Sequence, residues 1–471
     1  MRVSRSILFL VLAFADLHGA RGVDAQELTA AQVNERMVER RAIQAVIWGI
    51  PAVNTQLMLQ EMLAKTQGRV NQVLYWSRPA DASNQTLTPN PDSIYFMTFF
   101  DTKKGPVVLE VPPADTGSFA GNIVNAWQMP LEDAGPEGAD KGKGGKYLLL
   151  PPDFSGKAPP GYIVLRVDTF TGYALFRSNL VSHNDSDVAK AVAYGKRLKV
   201  YPLSQAGHRV VTQFADANGI EFDSTIRYDL SFFQFLDRVV QYEPWLPRDR
   251  VMIDQLKSIG IEKGKPYRPG ARSQEILKRA IQEAQVWLDQ QFESSFPPYW
   301  PGSHWGLPAS PEMINAYQTS YADPHSYPVD ARAIIYTYTS IGIKRLGRAQ
   351  FYLMTIKDKD GQSLDGSMTY RLTVPPNVPV NQYWSATAYD RARHTLLNTL
   401  RASRSSQIPD LQKNADGSID IYFGPQEPEG KETNWVPTVA GHQFEVMFRL
   451  YGPQQSLFEK TWRLPDVQKI R

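Results

Sequence analysis

Asp92, Asp168 and Arg166 are the side chains whose types and spacing suggest chemistry most directly. Two carboxylates at a fixed separation can divide the acid and base roles in breaking a bond. A guanidinium beside one of them can orient an anionic group on a substrate. Asp92 lies in the run Pro89-Asn90-Pro91-Asp92-Ser93-Ile94-Tyr95, ahead of a stretch with strand composition. There Asn90 and Asp92 either satisfy the backbone of a turn stiffened by Pro91, or line the mouth of a pocket walled by Trp76 and Tyr95. Aromatic walls suit flat or sugar-like ligands. Arg166 and Arg177 flank Asp168, and an arginine–carboxylate pair there either locks the fold or holds a ligand acid. In the second half of the chain the polar candidates for ligand binding are Arg404 and Asp390. Arg404 can hold an anion with help from Ser405 and Ser406, or it can pair with Asp390.

Other chemistries lack their residues. The chain has no cysteine, which removes thiolate nucleophiles, cysteine–zinc sites, iron–sulfur clusters and disulfides. Its seven histidines include no pair at i and i+4 and no HExxH, so a metal site would need ligands from distant segments. There is no GxSxG nucleophile elbow. The glycine- and lysine-rich run Gly135 to Lys146 lacks the order of a phosphate loop and predicts an exposed hairpin turn. With 51 basic and 48 acidic residues, no bulk electrostatic attraction to nucleic acid is expected. No cofactor or metal is expected, and any catalysis would be metal-independent and carboxylate-based.

The elements that must position these residues follow from composition and periodicity. The chain has 471 residues, with 22 Tyr, 21 Phe, 10 Trp, 34 Pro and 32 Gly, which suggests sheets joined by ordered turns. Arg2 and Arg5 precede an apolar run from Ile7 to Ala15, so residues 1–25 read as a signal peptide, placing the protein in the periplasm or outside the cell. That run is short of the roughly 20 residues that span a bilayer, and no transmembrane segment is expected. Residues 26–184 begin with helix over 27–66, which Pro51 kinks or divides. Strands follow at Tyr95–Phe100, Val107–Val111, Tyr147–Leu150 and Tyr162–Val167. Residues 185–345 are mainly helical: Val188–Val200, Tyr228–Val240, a helix opened by Pro247 and stopped by Gly260, Ser273–Phe292, and one near Ala331. Between the last two runs an arm, Phe296–Asp330, carries Trp300, Trp305, Tyr317, Tyr321 and Tyr327 with His304 and His325. It either glues the helical and β parts together or closes over a cleft. Residues 346–471 return to strands, with a short helix over Leu396–Leu400. The fold class is mainly β with a helical middle: a β-sandwich, then a second all-β domain.

Two sets of motifs carry a resemblance. The first is Gln72-Val73-Leu74-Tyr75-Trp76, the Pro89 to Tyr95 run, Gly105 to Pro112 and Gly161-Tyr162. The second is Tyr383 to Asp390, Asn414, Asp416-Gly417-Ser418, Tyr422 to Pro425 and Asn434 to Thr438. The chain resembles bacterial exported proteins that combine a DUF1254 domain with a DUF1214 domain. The resemblance implies an immunoglobulin-like N-terminal sandwich, a helical insertion and a C-terminal jelly-roll-like domain, and it implies no particular reaction. The expected function is an exported protein with a cleft for a small-molecule or carbohydrate-derived ligand. The alternatives are a hydrolase or lyase using the carboxylates, and an envelope-associated assembly protein whose aromatic surfaces meet in a homo-oligomer.

Overall fold

A computed structural model describes residues 28–470. The expected signal peptide therefore lies outside the described residues. A 36-residue helix, Ala30–Lys65, opens the fold. Thr29 caps it: its side chain accepts from the Gln32 amide while Gln32 reaches back to the Thr29 amide. Pro51 does not divide it. A proline forfeits one intrahelical hydrogen bond, and burial of both flanks holds the helix together. The segment from Ala42 to Met62 is buried almost all round, because helices Ser231–Tyr242, Ala271–Ser294 and Val329–Tyr338 pack on it from several sides. Among the described residues it is the one helix long and apolar enough to cross a membrane, and 83 % of its apolar window is buried inside the protein.

The helices cover one face of a six-stranded sheet ordered Phe214–Asp216, Val73–Tyr75, Ser93–Asp101, Thr171–Asn179, Phe119–Asn125, Pro130–Ala134. Its other face packs on a four-stranded sheet ordered Lys199–Pro202, Val107–Val111, Gly145–Leu150, Ile163–Arg166. Strand Ser93–Asp101 shows the consequence of two covered faces. Ile94 and Phe96 enter the core between the sheets, whereas Tyr95, Met97 and Phe99 join the core under the helices. Tyr95 stands opposite Arg177 in the ladder, so both side chains face the helical side.

The C-terminal part has two four-stranded sheets. One is ordered Gln350–Thr355, Phe444–Pro453, Val380–Asp390, Ser403–Ser405, and the other Trp435–Pro437, Ile419–Gly424, Tyr370–Val374, Gln468–Lys469. Their inner faces share one core with Trp300 and Trp305 of the arm. Tyr317 and Tyr321 of the arm pack instead in the helical core, and Tyr327 packs on Tyr321 and Arg332. The arm joins the two parts, and it contains an unexpected helix, Pro311–Thr319, whose start is signalled by the Ser310 cap, Pro311 and Glu312. His304 and His325 serve it only through backbone amides bonded to Asp466 and Asp323.

Three local expectations are corrected. The helix expected over Val188–Val200 ends at Gly195, and Lys199–Pro202 is a strand paired with Val107–Glu110. Leu396–Leu400 is irregular, with Leu396 bridging to Tyr389. Gly135 to Lys146 is a turn exposed at Pro136, Glu137, Lys141, Lys143 and Lys146, as expected, but it is no hairpin: it links strands of two different sheets, and its middle is anchored inward. Asp140 is buried and accepts from the Gly135 amide at 2.6 Å and the Tyr147 hydroxyl at 2.7 Å. Gly135 has φ +103°, and a Cβ there would meet the Phe119 carbonyl oxygen at 1.9 Å. The glycines permit a close crossing of backbones and not mere flexibility.

Candidate functional site

The turn Pro89 to Asp92 sits where the N-terminal sheet, the helices and the C-terminal sheet meet. Asn90 is 1 % exposed. Its Oδ1 accepts from the Asp92 amide at 3.0 Å, closing an Asx turn. Its Nδ2 donates to the hydroxyls of Tyr383 (3.1 Å) and Tyr451 (2.8 Å) in the C-terminal sheet, and its amide donates to Tyr95 Oη at 2.7 Å. The Tyr389 hydroxyl donates to the Pro89 carbonyl at 2.7 Å. This turn is therefore a rivet between the two β parts, and it separates two cavities.

The first cavity, about 900 Å³ with its open mouth included, lies on the Asn90–Tyr95 side. Trp76, Tyr95 and Arg177 come from the first sheet, Met58 from the long helix, and Tyr352, Met447 and Arg449 from the C-terminal sheet. Pro308, Ala309 and the segment from Thr339 to Leu346 close it. Most of this surface is apolar. Its charged side chains are Arg177 and Arg449, 6 % and 3 % exposed. Arg177 donates to Asn122 Oδ1 at 2.8 Å and lies 5.8 Å from the centre of the Tyr95 ring. Arg449 donates to Thr387 Oγ1 (3.1 Å) and the Thr88 carbonyl (2.9 Å), and lies 5.6 Å from the Tyr352 ring centre. Neither guanidinium has a carboxylate within 4 Å among the described residues. The acid linked to Arg177 is Asp133, one step removed, which accepts from the Asn122 amide at 2.9 Å. A guanidinium stays charged at any physiological pH, so two positive charges stand in an apolar enclosure with only neutral acceptors. Such burial costs several kcal/mol per ion unless a counter-charge arrives.

The second cavity, about 620 Å³ with its mouth included, lies on the Asp92 side and is lined by Asp92, His183, Ser403 and Arg404. Asp92 is 1 % exposed, accepts from Ser403 Oγ at 2.8 Å, and lies 3.3 Å from His183 Nε2. The carboxylate, not the imidazole, touches the serine. That order lacks the serine–histidine contact a nucleophilic relay needs. Arg404 donates to the Ser403 carbonyl at 3.0 Å. Burial, reinforced by Arg401, draws its guanidinium down to about 10, with Asp410 and Asp92 opposing.

The structure thus brings Trp76, Asn90 and Tyr95 to one cavity, and Asp92 and Arg404 to the other. It does not bring Asp168 or Arg166 to either. Asp168 accepts from Asn125 Nδ2 at 2.6 Å and pairs with Arg248 at 3.2 Å. Arg166 is exposed at the end of an edge strand. The carboxylates of Asp92 and Asp168 therefore share no cavity, and Arg177 turns to Asn122 and Tyr95 rather than to Asp168. Asp390 lies apart from Arg404 and binds His442 Nδ1 at 2.9 Å. Sequence reasoning passed over Arg449, and it took Arg177 only as a partner for Asp168. The signal available was an arginine in an otherwise apolar strand: Phe448-Arg449-Leu450 and Phe176-Arg177-Ser178. Among the described residues no group of three or more His, Asp or Glu side chains is placed to hold a metal ion.

No curated protein matches the chain. Among solved structures, the VPA0106 protein from Vibrio parahaemolyticus is similar at 19 % identity and a TM-score of 0.56, covering 93 % of this chain and 100 % of that one. An uncharacterized protein from Burkholderia cenocepacia aligns at 12 % identity and a TM-score of 0.41, over 93 % and 94 % of the two chains. The first likeness shows a shared fold and nothing about activity. Two family models match, both described as proteins of unknown function: DUF1254 over residues 70–202 and DUF1214 over residues 349–455. The chain belongs to the family that joins a DUF1254 domain to a DUF1214 domain.

Proposed function

We propose that the protein binds a small organic acid, one anionic head on an apolar body, in the cavity between its two β parts. The observation that carries this reading is the pair of buried guanidiniums, Arg177 and Arg449, without a carboxylate partner. An anion brought between them would offset a desolvation cost that the protein alone leaves standing. The Tyr95 and Tyr352 hydroxyls stand beside them as further donors, and Met58, Met447 and Ile335 offer an apolar bed for the rest of the ligand. Binding without turnover fits better than hydrolysis, because Asp92, the strongest acid/base candidate, lies in the other cavity. The N-terminal composition supports export, and the pairs of stacked sheets are compatible with an immunoglobulin-like and a jelly-roll-like body. The test is a titration calorimetry panel of straight-chain carboxylates against the alcohols of the same length. The acids should bind at least tenfold more tightly. Equal affinity for acid and alcohol would remove the guanidiniums from recognition.

A further inference from the structure

A second feature lies across a thin wall from the anion cavity. The wall is Leu87-Thr88, and Leu87 lines both the cavity and a larger groove of about 1,390 Å³, open solvent included. The groove runs between helix Ala271–Ser294, the segment Thr225 to Tyr228 and the turn after strand Val380–Asp390. His394 stands on that turn with φ +57°, in the left-handed region that histidine enters more readily than most side chains. It is 8 % exposed and lies between the rings of Phe292 and Tyr338, 4.7 and 5.9 Å away. Its Nδ1 meets both carboxylate oxygens of Glu445, at 3.0 and 3.1 Å. Glu445 is completely buried. Nε2 has no partner among the described residues, and the ring lines the groove.

We infer that His394, held by Glu445, is a proton-accepting group in a second ligand site, one that takes small hydroxyaromatic compounds. A carboxylate behind Nδ1 fixes the tautomer with its proton on Nδ1, so Nε2 carries the lone pair. The same carboxylate stabilises the imidazolium that forms when Nε2 takes a proton. Phe292, Tyr228, Ile226 and Leu288 give the groove apolar and aromatic surface for a flat ring. The step is a simple transfer: the ligand O–H bond breaks, an N–H bond forms at Nε2, and the phenolate left behind pairs with the new imidazolium. The other charged groups near the pair and on the groove are Arg391, engaged by Asp289 and Glu293, Arg393, engaged by Asp223, and Asp390, engaged by His442. None of these ion pairs involves Nε2. The site is separate from the anion cavity and does not depend on the acid-binding reading.

Para-nitrophenol tests this, because its absorbance reports whether its hydroxyl proton has left. In buffer where the free probe is mostly un-ionised, the purified protein should raise the phenolate band saturably. H394Q should abolish the band. E445Q should lower the bound phenolate about tenfold, since a neutral amide cannot stabilise the imidazolium. Val286, which is 59 % exposed on the groove wall, allows a variant that spares the pair. V286W should block binding with the melting temperature unchanged, whereas R177M should leave the band intact. A band that survives V286W and vanishes in R177M would place the probe in the anion cavity and overturn the inference. So would the absence of any band with wild-type protein.

Discussion

Replacing Arg177 by methionine separates a charge kept for a ligand from one kept for the fold. Among the described residues Arg177 donates to Asn122 Oδ1 at 2.8 Å and contacts the Tyr95 ring. Losing a hydrogen bond from a charged group costs about 1.5–3 kcal/mol, and a desolvated cation–ring contact adds ~1–2. Against this, the variant no longer buries an unpaired guanidinium, a relief of several kcal/mol. Its thioether also fits an apolar wall, so the opposing terms are similar. The unliganded R177M protein should stay within about 2 kcal/mol of wild type in either direction.

Arg332 supplies the contrast. It is 1 % exposed, donates to the Trp127 carbonyl at 2.8 Å and to the Tyr327 hydroxyl, and has the Tyr321 and Tyr327 rings at 5.1 and 4.7 Å. Like Arg177 it has no carboxylate within 4 Å among the described residues, but it gives two charged hydrogen bonds and two ring contacts, and the buried Asp249 lies near enough to feel its charge. R332M should therefore lose about 3–5 kcal/mol, more than R177M. Thermal melts with and without a carboxylate ligand read both effects. A ligand at a hundred times its dissociation constant stabilises wild type by about 2.7 kcal/mol, and that increment should vanish in R177M. The reasoning fails if R177M falls as far as R332M while wild type ignores every acid tested. Arg177 would then be a structural charge whose balance runs through Asn122 to Asp133.

Two further perturbations reach the frame around the site. Burial pushes the Glu243 carboxyl up to about 7, against hydrogen bonds from Thr171 and the Phe170 amide. The folded state thus holds this proton more tightly than the unfolded chain, whose value is near the ordinary 4.5. This contribution is full below the unfolded value and is lost as pH rises through the folded one, on the order of 3 kcal/mol between pH ~4.5 and ~7. Urea denaturation across that range should show the decline in wild type and a flatter profile in E243Q; parallel profiles would count against the shift. N90A leaves the Tyr383 and Tyr451 hydroxyls and the Asp92 amide without their partner. It should cost about 2–4 kcal/mol in the same assay, and a loss below ~1 would mean that the turn does not rivet the two parts.

What the sequence disclosed and what it withheld divide along a physical line. Strands such as Val107–Val111 and Ile419–Gly424 were legible because β-branched and aromatic residues alternate between turn signals. Helix Ala271–Ser294 was legible because its apolar residues recur on one face. The Asn90 segment was legible as a special turn, since proline, asparagine and aspartate there have local work. Its partners Tyr383 and Tyr451 are 293 and 361 residues away, and no local pattern encodes such a distance. The same holds for Asp168, whose partner proved to be Arg248, 80 residues on, and not its neighbours Arg166 and Arg177. Sequence proximity favours pairing only where the backbone turns side chains to the same side. Residues 166 and 177 lie on different sheets, so the strands carry them apart. The paired guanidiniums come from strands of the two separate β parts, and each looks like an ordinary exposed arginine until both faces of its sheet are covered. A polar residue inside an apolar strand therefore carries its meaning only jointly with the element that buries it. For Arg177 and Arg449 that element is the other's domain together with the arm, which is why the cavity they line is a property of the assembled chain and of neither half.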